Sequence, residues 1–169
     1  MRYFLVLLMF ICVNPAWALE ISSEDFGDGD VMRPHNTCAG DDVSPDLNWK
    51  EVPDGAKSLV LICEDISAQP RRFSHWIIFN IPPDKTRLLD NLPNVSGLDD
   101  GSTQGLNDFN QYGYSGPCPP LGETHKYFFR LYALDTRLSL ESNSRREDVI
   151  KAMTGHILAE AATYCLYSR

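Results

Sequence analysis

Three apolar runs of strand length set the strongest limit on how this chain folds. Residues 58–65 read SLVLICED, residues 73–81 read FSHWIIFNI, and residues 125–134 read HKYFFRLYAL. None repeats every three or four residues as a helix requires, and each has the length and the aliphatic or aromatic content of a buried strand. Pro82 and Pro83 close the second run. Residues 22–46 are polar and rich in Gly, Asp and Pro, and read as irregular structure. Residues 84–120 are punctuated by Gly, Asn, Asp and Pro, which predicts a long loop region of the kind that carries function. Ser144 and Glu147 have capping-box spacing, so a helix is predicted from Ser144, with Val149, Ile150 and Met153 on one face. Gly155 interrupts it, residues 157–161 read as a further helical turn or two, and residues 162–167 as a strand or a continued helix. No β-α-β-α alternation is visible, which disfavours a Rossmann-type sheet. Strands joined by irregular loops, with one late helical segment, predict an antiparallel sandwich.

The first eighteen residues have a different character. Arg2 precedes an apolar run over residues 3–13, and Ala16-Trp17-Ala18 forms an A-x-A cleavage site. This is the pattern of a secretory signal peptide. The run is too short for a membrane span, which needs about 20 apolar residues. Cleavage after Ala18 predicts a periplasmic or secreted domain of residues 19–169, with no membrane span once the signal is gone. Cys12 leaves with the signal, and Cys38, Cys63, Cys118 and Cys165 remain. In an oxidising compartment, four cysteines allow three full pairings. No C-x-x-C is present, so neither a zinc ribbon nor a thioredoxin-like motif is expected. The net charge of −8 over 169 residues argues against nucleic acid as a partner, because phosphate binding needs a basic patch.

Four polar residues fall near the ends of the predicted strands. Asp65 closes the first, His75 lies early in the second, and His125 and Tyr127 open the third on one side of that strand. Convergent polar groups at strand ends are a common design for a ligand site. Taken singly, Asp65 also suits a turn, His75 a satisfied core histidine, and Tyr127 core packing. No nucleophile motif accompanies them. Residues 113–116 read GYSG and lack the second spacer of G-x-S-x-G, so Ser115 is a poor candidate. Histidines 35, 75, 125 and 156 have no metal-ligand spacing, and no Walker-type loop is present, so no metal and no cofactor are expected. What remains is a polar pocket suited to a small anion, with histidine, tyrosine and backbone donors. An aspartate repels an anion, so Asp65 must orient a histidine or face an amine, and a zwitterionic ligand resolves the conflict.

Several separated motifs, in order, give the sequence a family likeness. They are Cys38-Ala-Gly-Asp-Asp-Val-Ser-Pro-Asp-Leu-Asn-Trp49, Glu64-Asp65, His75-Trp76 with Asn80-Ile-Pro82, Gly105-Leu-Asn-Asp-Phe109, Gly113-Tyr-Ser-Gly-Pro-Cys-Pro-Pro120, and His125-Lys-Tyr127-Phe128. From about Phe26 to Arg169 the chain resembles the phosphatidylethanolamine-binding protein family, in its bacterial Raf-kinase-inhibitor-like branch. The resemblance implies a mainly β fold: an antiparallel β-sandwich with a large central sheet, a smaller sheet and C-terminal helical elements. It also implies a non-catalytic pocket for a small anionic or zwitterionic ligand, such as a phosphoryl head group, phosphate or carboxylate. The matching ligand-binding positions are Asp65, His75, Gly116, Pro119, Pro120, His125 and Tyr127. The family's D-P-D-A-P motif reads Asp65-Ile-Ser-Ala-Gln69 here, which loses two prolines and the second carboxylate. The family fold also brings Cys38 and Cys118 together, so a disulfide between them is expected. Alternative roles are inhibition of a protease or kinase target through surface loops, and hydrolysis using His75 and His125 as acid and base.

Overall fold

A computed structural model describes residues 18–169. The order of elements is β1 (Glu20–Ser23), a 3-10 turn (Pro34–Asn36), β2 (Leu47–Lys50), β3 (Ser58–Asp65), β4 (Phe73–Ile81), β5 (Arg87–Leu88), β6 (Thr103–Gln104), β7 (Thr124–Leu134), α1 (Arg146–Met153) and β8 (Ile157–Ser168). The strands form two antiparallel sheets, one of five strands in the order β6-β4-β3-β7-β8 and one of three in the order β1-β2-β5. The three apolar runs become β3, β4 and β7, at the centre of the larger sheet.

Those runs are apolar without alternation because the larger sheet is covered on both faces. Leu59, Leu61, Cys63, Trp76 and Phe129 meet Leu47, Trp49 and Leu88 of the smaller sheet. On the opposite face, Val60, Ile62, Ile77 and Phe79 pack under Val149 and Met153 of α1. Towards one end of that face the apolar cover stops. There the buried Glu64 accepts N–H groups from Arg72 at 2.8 Å, Arg130 at 3.0 Å and Arg146 at 2.9 Å. Three guanidinium partners satisfy a carboxylate that burial would otherwise make costly.

The structure corrects two readings of the C-terminal region. The helix begins one residue later than the Ser144 box implies: Asp148, not Glu147, reaches back to accept the Arg145 N–H at 3.0 Å. The Ser144 carbonyl is taken by the Leu106 N–H, which draws that residue into the loop packing. Residues 157–161 are not helical. They begin β8, which pairs with β7 from Ile157 to Ser168. Gly155, at φ +84°, makes the turn between α1 and β8. The C-terminal helical elements thus reduce to α1 alone, and the described chain ends in a strand. The two-residue strands β5 and β6 fall in the stretch 84–120 that reads as loop, and β1 runs into the irregular stretch at Ser22 and Ser23.

Cys38 and Cys118 are joined in a disulfide, with Cα atoms 5.5 Å apart across 80 residues of sequence. Cys63 and Cys165 are buried free thiols. Burial pushes the Cys63 thiol well above its usual range and Cys165 up to about 12, which keeps both unreactive. Peptide mapping without reductant is expected to recover Cys38 linked to Cys118. Cys63 and Cys165 should be alkylated only after denaturation; labelling of either in the folded protein would contradict this packing.

Candidate functional site

The strand ladder decides which polar residues meet. Antiparallel pairing sets Asp65 at the end of β3 opposite Tyr127 of β7 and Phe73 of β4. Between β3 and β4 the register slips: Cys63 faces Trp76, but Glu64 faces Ser74. His75 is the extra residue of this bulge. Strict alternation would send His75 and Trp76 to opposite faces of the sheet. Instead Trp76 enters the core between the sheets, and the His75 ring stands edge-on to Tyr127, which belongs to the same core. Bulges commonly re-aim a side chain in this way.

The result is a cavity of about 480 Å³ at this end of the sandwich. Asp65, His75, Pro119, Pro120, His125 and Tyr127 line it, together with Ser67, Ala68, Gln69, Phe73, Phe109, Cys118 and Glu123. Gly116 is not among the lining residues. Its N–H donates to the Asp42 carboxylate at 2.6 Å, and a β-carbon there would lie 2.4 Å from the Asn36 carbonyl oxygen. Glycine at 116 lets the wall loop pass close to the 3-10 turn. The disulfide ties the same two segments together through Cys118.

Asp65 answers both of its sequence readings. One oxygen, Oδ1, accepts the N–H groups of Ser67 at 2.8 Å and Ala68 at 3.1 Å, making the turn. The other, Oδ2, lies 2.6 Å from His125 Nδ1. The turn therefore closes without the two prolines of the family motif, and Ser67 adds a hydroxyl that accepts the Lys126 N–H at 3.1 Å. The remaining nitrogen of His125, Nε2, lies 3.0 Å from Glu123 Oε2. His125 thus lies between two carboxylates, Asp65 on Nδ1 and Glu123 on Nε2.

The two histidines have opposite electrostatics. Burial works against charge on His125, but hydrogen bonds to Asp65 and Glu123 outweigh it and hold its pKa above the ordinary value. His75 is buried among Phe73, Phe109 and Tyr127, and burial pulls its pKa down. Its Nδ1 lies 2.6 Å from the Ser115 carbonyl, which assigns the proton of the neutral ring to Nδ1 and leaves Nε2 as an acceptor. Ser115 offers His75 this carbonyl and not its hydroxyl, which bonds to Asn107 at 3.0 Å and Gln111 at 3.3 Å. That is not the geometry of a serine nucleophile with its base. The Tyr127 hydroxyl is buried and makes no well-formed hydrogen bond among the described residues, the Asp65 carboxylate being the nearby group that could accept from it. Burial first, and then the charge and acceptor oxygens of Asp65, raise its pKa and keep it protonated. His35 and His156 do not line this cavity and pair with Asp41 and Asp135 on the surface. Among the described residues, no group of three or more His, Cys, Asp or Glu side chains is arranged to hold a metal.

Residues 22–168 match the family model described as phosphatidylethanolamine-binding protein. The chain belongs to that family. A protein of the UPF0098 group from Methanothermobacter thermautotrophicus is 50% identical over 151 residues, spanning 89% of this chain and 99% of the relative. A UPF0098 protein from Aquifex aeolicus is 42% identical, covering 89% of each. The crystal structure of YbcL from E. coli, described as a member of the mammalian PEBP family, superposes with a TM-score of 0.83 at 29% identity, covering 90% of this chain and 99% of YbcL. CT736 from Chlamydia trachomatis, described as a putative phosphatidylethanolamine-binding protein homolog, gives a TM-score of 0.81 at 36% identity, covering 90% and 98% of the two chains.

Sequence reasoning missed Glu123, Phe73 and Phe109. Glu123 carried a signal, since it stands two residues before His125 and an acidic side chain there falls on the same side. Two measurements test the electrostatics. His125 bears a raised pKa, so its pairing stabilises the fold below about pH 6.5 and that contribution is lost as pH rises through the folded value. His75 bears a lowered pKa, so its contribution is complete above about 6.5 and is lost as pH falls through the folded value. In an NMR titration the two rings should titrate on opposite sides of 6.5. Tyr127→Phe removes an unpartnered buried hydroxyl, so denaturation should show unchanged stability or a gain of about 1 kcal/mol. A loss above about 1 kcal/mol would mean the hydroxyl is bonded in the folded protein.

Proposed function

We propose that this protein is an exported, non-catalytic binding protein whose cavity takes a small phosphoryl group, free or as a head group. The observation that carries this is the meeting of His75, His125 and Tyr127 on the wall of one cavity, where the Tyr127 hydroxyl makes no well-formed hydrogen bond among the described residues. A buried donor so placed gains from an acceptor that a ligand supplies. The charge balance of the cavity narrows the ligand. The lining residues include two carboxylates and no lysine or arginine, so recognition rests on directed hydrogen bonds more than on net positive charge. His75 Nε2 accepts and the Tyr127 hydroxyl donates. A hydrogen-phosphate group satisfies both, with a P–OH for the histidine and a P–O oxygen for the tyrosine. A simple carboxylate offers acceptors only. An ammonium group on the ligand would complement the carboxylates at the cavity.

Among the described residues, Ser115 is not aligned with His75 as nucleophile and base, which supports the non-catalytic reading. Export is supported by the signal pattern of residues 1–18, most of which lies outside the described residues, and by the Cys38–Cys118 disulfide, which suits an oxidising compartment.

Calorimetric titration with inorganic phosphate, phosphorylethanolamine and acetate tests the proposal. The two phosphoryl ligands should bind saturably and acetate much more weakly. Phosphate affinity should fall as pH rises above about 6–7, where the phosphoryl group loses its last proton. Tyr127→Phe should weaken phosphate binding about tenfold, the effect of one hydrogen bond to a charged group. Acetate binding as tight as phosphate would refute the proton-sharing geometry. Absence of saturable phosphoryl binding would refute the pocket assignment.

A further inference from the structure

The position of Glu123 leads beyond that reading, although it rests on it. His125 has two nitrogens. Nδ1 is held by the buried Asp65 carboxylate and is closed to any ligand. Nε2 is the only nitrogen of that ring left to face a bound molecule, and the Glu123 carboxylate lies 3.0 Å from it. The two partners are not alike. The His125 side chain is 10% exposed, whereas Glu123 is 59% exposed. Glu123 sits at the end of a turn in which its N–H bonds to the Pro120 carbonyl, while the Gly122 N–H bonds to that of Arg169. Its backbone is thus held at the rim while its side chain reaches inward from solvent.

We infer that Glu123 is an internal occupant of the oxyanion position on His125, so that the residue sets how tightly the cavity accepts an external oxyanion. A glutamate carboxylate and a phosphoryl oxygen ask the same thing of Nε2, a charge-assisted hydrogen bond. They cannot both take its one proton with full strength. Glu123 is tethered two residues away, so it competes at a high effective concentration. An exposed ion pair is nonetheless weakly held, because water solvates the released carboxylate. Such a competitor can be displaced. Displacement leaves a carboxylate at the rim, which repels a plain anion and attracts the ammonium end of a zwitterion. Glu123 therefore also favours ligands that pair an oxyanion with a cation.

Phosphate titration of the purified protein and of Glu123→Gln decides the matter. Asp54→Asn serves as the control for net charge, since the turn beside Lys57 and Leu134 lies at the far end of β7 from His125. Glu123→Gln should bind phosphate about fivefold more tightly than the parent, or better, and Asp54→Asn should match the parent. The parent's preference for phosphorylethanolamine over phosphate should shrink in Glu123→Gln. In the parent, saturating phosphate should shift the ¹⁵N resonance of His125 Nε2 while leaving Nδ1 little changed. If the parent binds phosphate and Glu123→Gln binds no better, the inference about Glu123 is overturned and the pocket reading stands. If Glu123→Gln binds no phosphate at all, the oxyanion position on His125 does not exist. If the parent also fails, the pocket reading falls with it.

Discussion

The carboxylate of Asp65 joins the strand framework to the cavity. Its position is set by ladder pairing on both sides, with Tyr127 on β7 and Phe73 on β4. From that place one oxygen gathers the turn that follows β3, and the other fixes the His125 ring. Orientation of the ring then determines which nitrogen faces outward, and so where Glu123 bonds. A single side chain thus acts as a turn residue and a positioning residue together. This is possible because a carboxylate carries two acceptor oxygens pointing apart.

Under the proposed function, the cavity is a directional site with little net attraction for anions. Its carboxylates outnumber its cationic side chains, its neutral histidine accepts, and its tyrosine hydroxyl makes no well-formed hydrogen bond among the described residues. Glu123 places a second carboxylate beside His125 from a different segment than Asp65 and with far greater exposure. The disulfide and the close approach at Gly116 hold the opposite wall, where Pro119 and Pro120 face the same space.

How much was legible in the chain varies with the physics of each element. The runs that became β3, β4 and β7 were plain because the sheet is covered on both faces, which demands continuous apolar sequence. The start of β8 was misread. Residues 157–161 read ILAEA and favour a helix on local propensity. Pairing along the whole of β7 overrides that preference, as tertiary context often does. The helix cap moved by one residue because the Ser144 carbonyl serves the Leu106 N–H instead. Gly116, expected in the cavity wall from the resemblance, packs closely against the Asn36 carbonyl and donates to Asp42, a contact that only the tertiary structure shows.

By itself the sequence determined the family, through ordered motifs across nearly the whole described chain, and the identity of the central strands. It also named Asp65, His75, His125 and Tyr127, because polar residues at the ends of apolar runs stand out against their surroundings. Tertiary structure alone decided that these residues meet, that a bulge turns His75 inward, that the Tyr127 hydroxyl is buried on the cavity wall, and that Glu123 lies against His125. The reason is that local sequence records burial and periodicity, whereas these features depend on cross-strand register. A shift of one residue in pairing sends a side chain to the other face of the sheet.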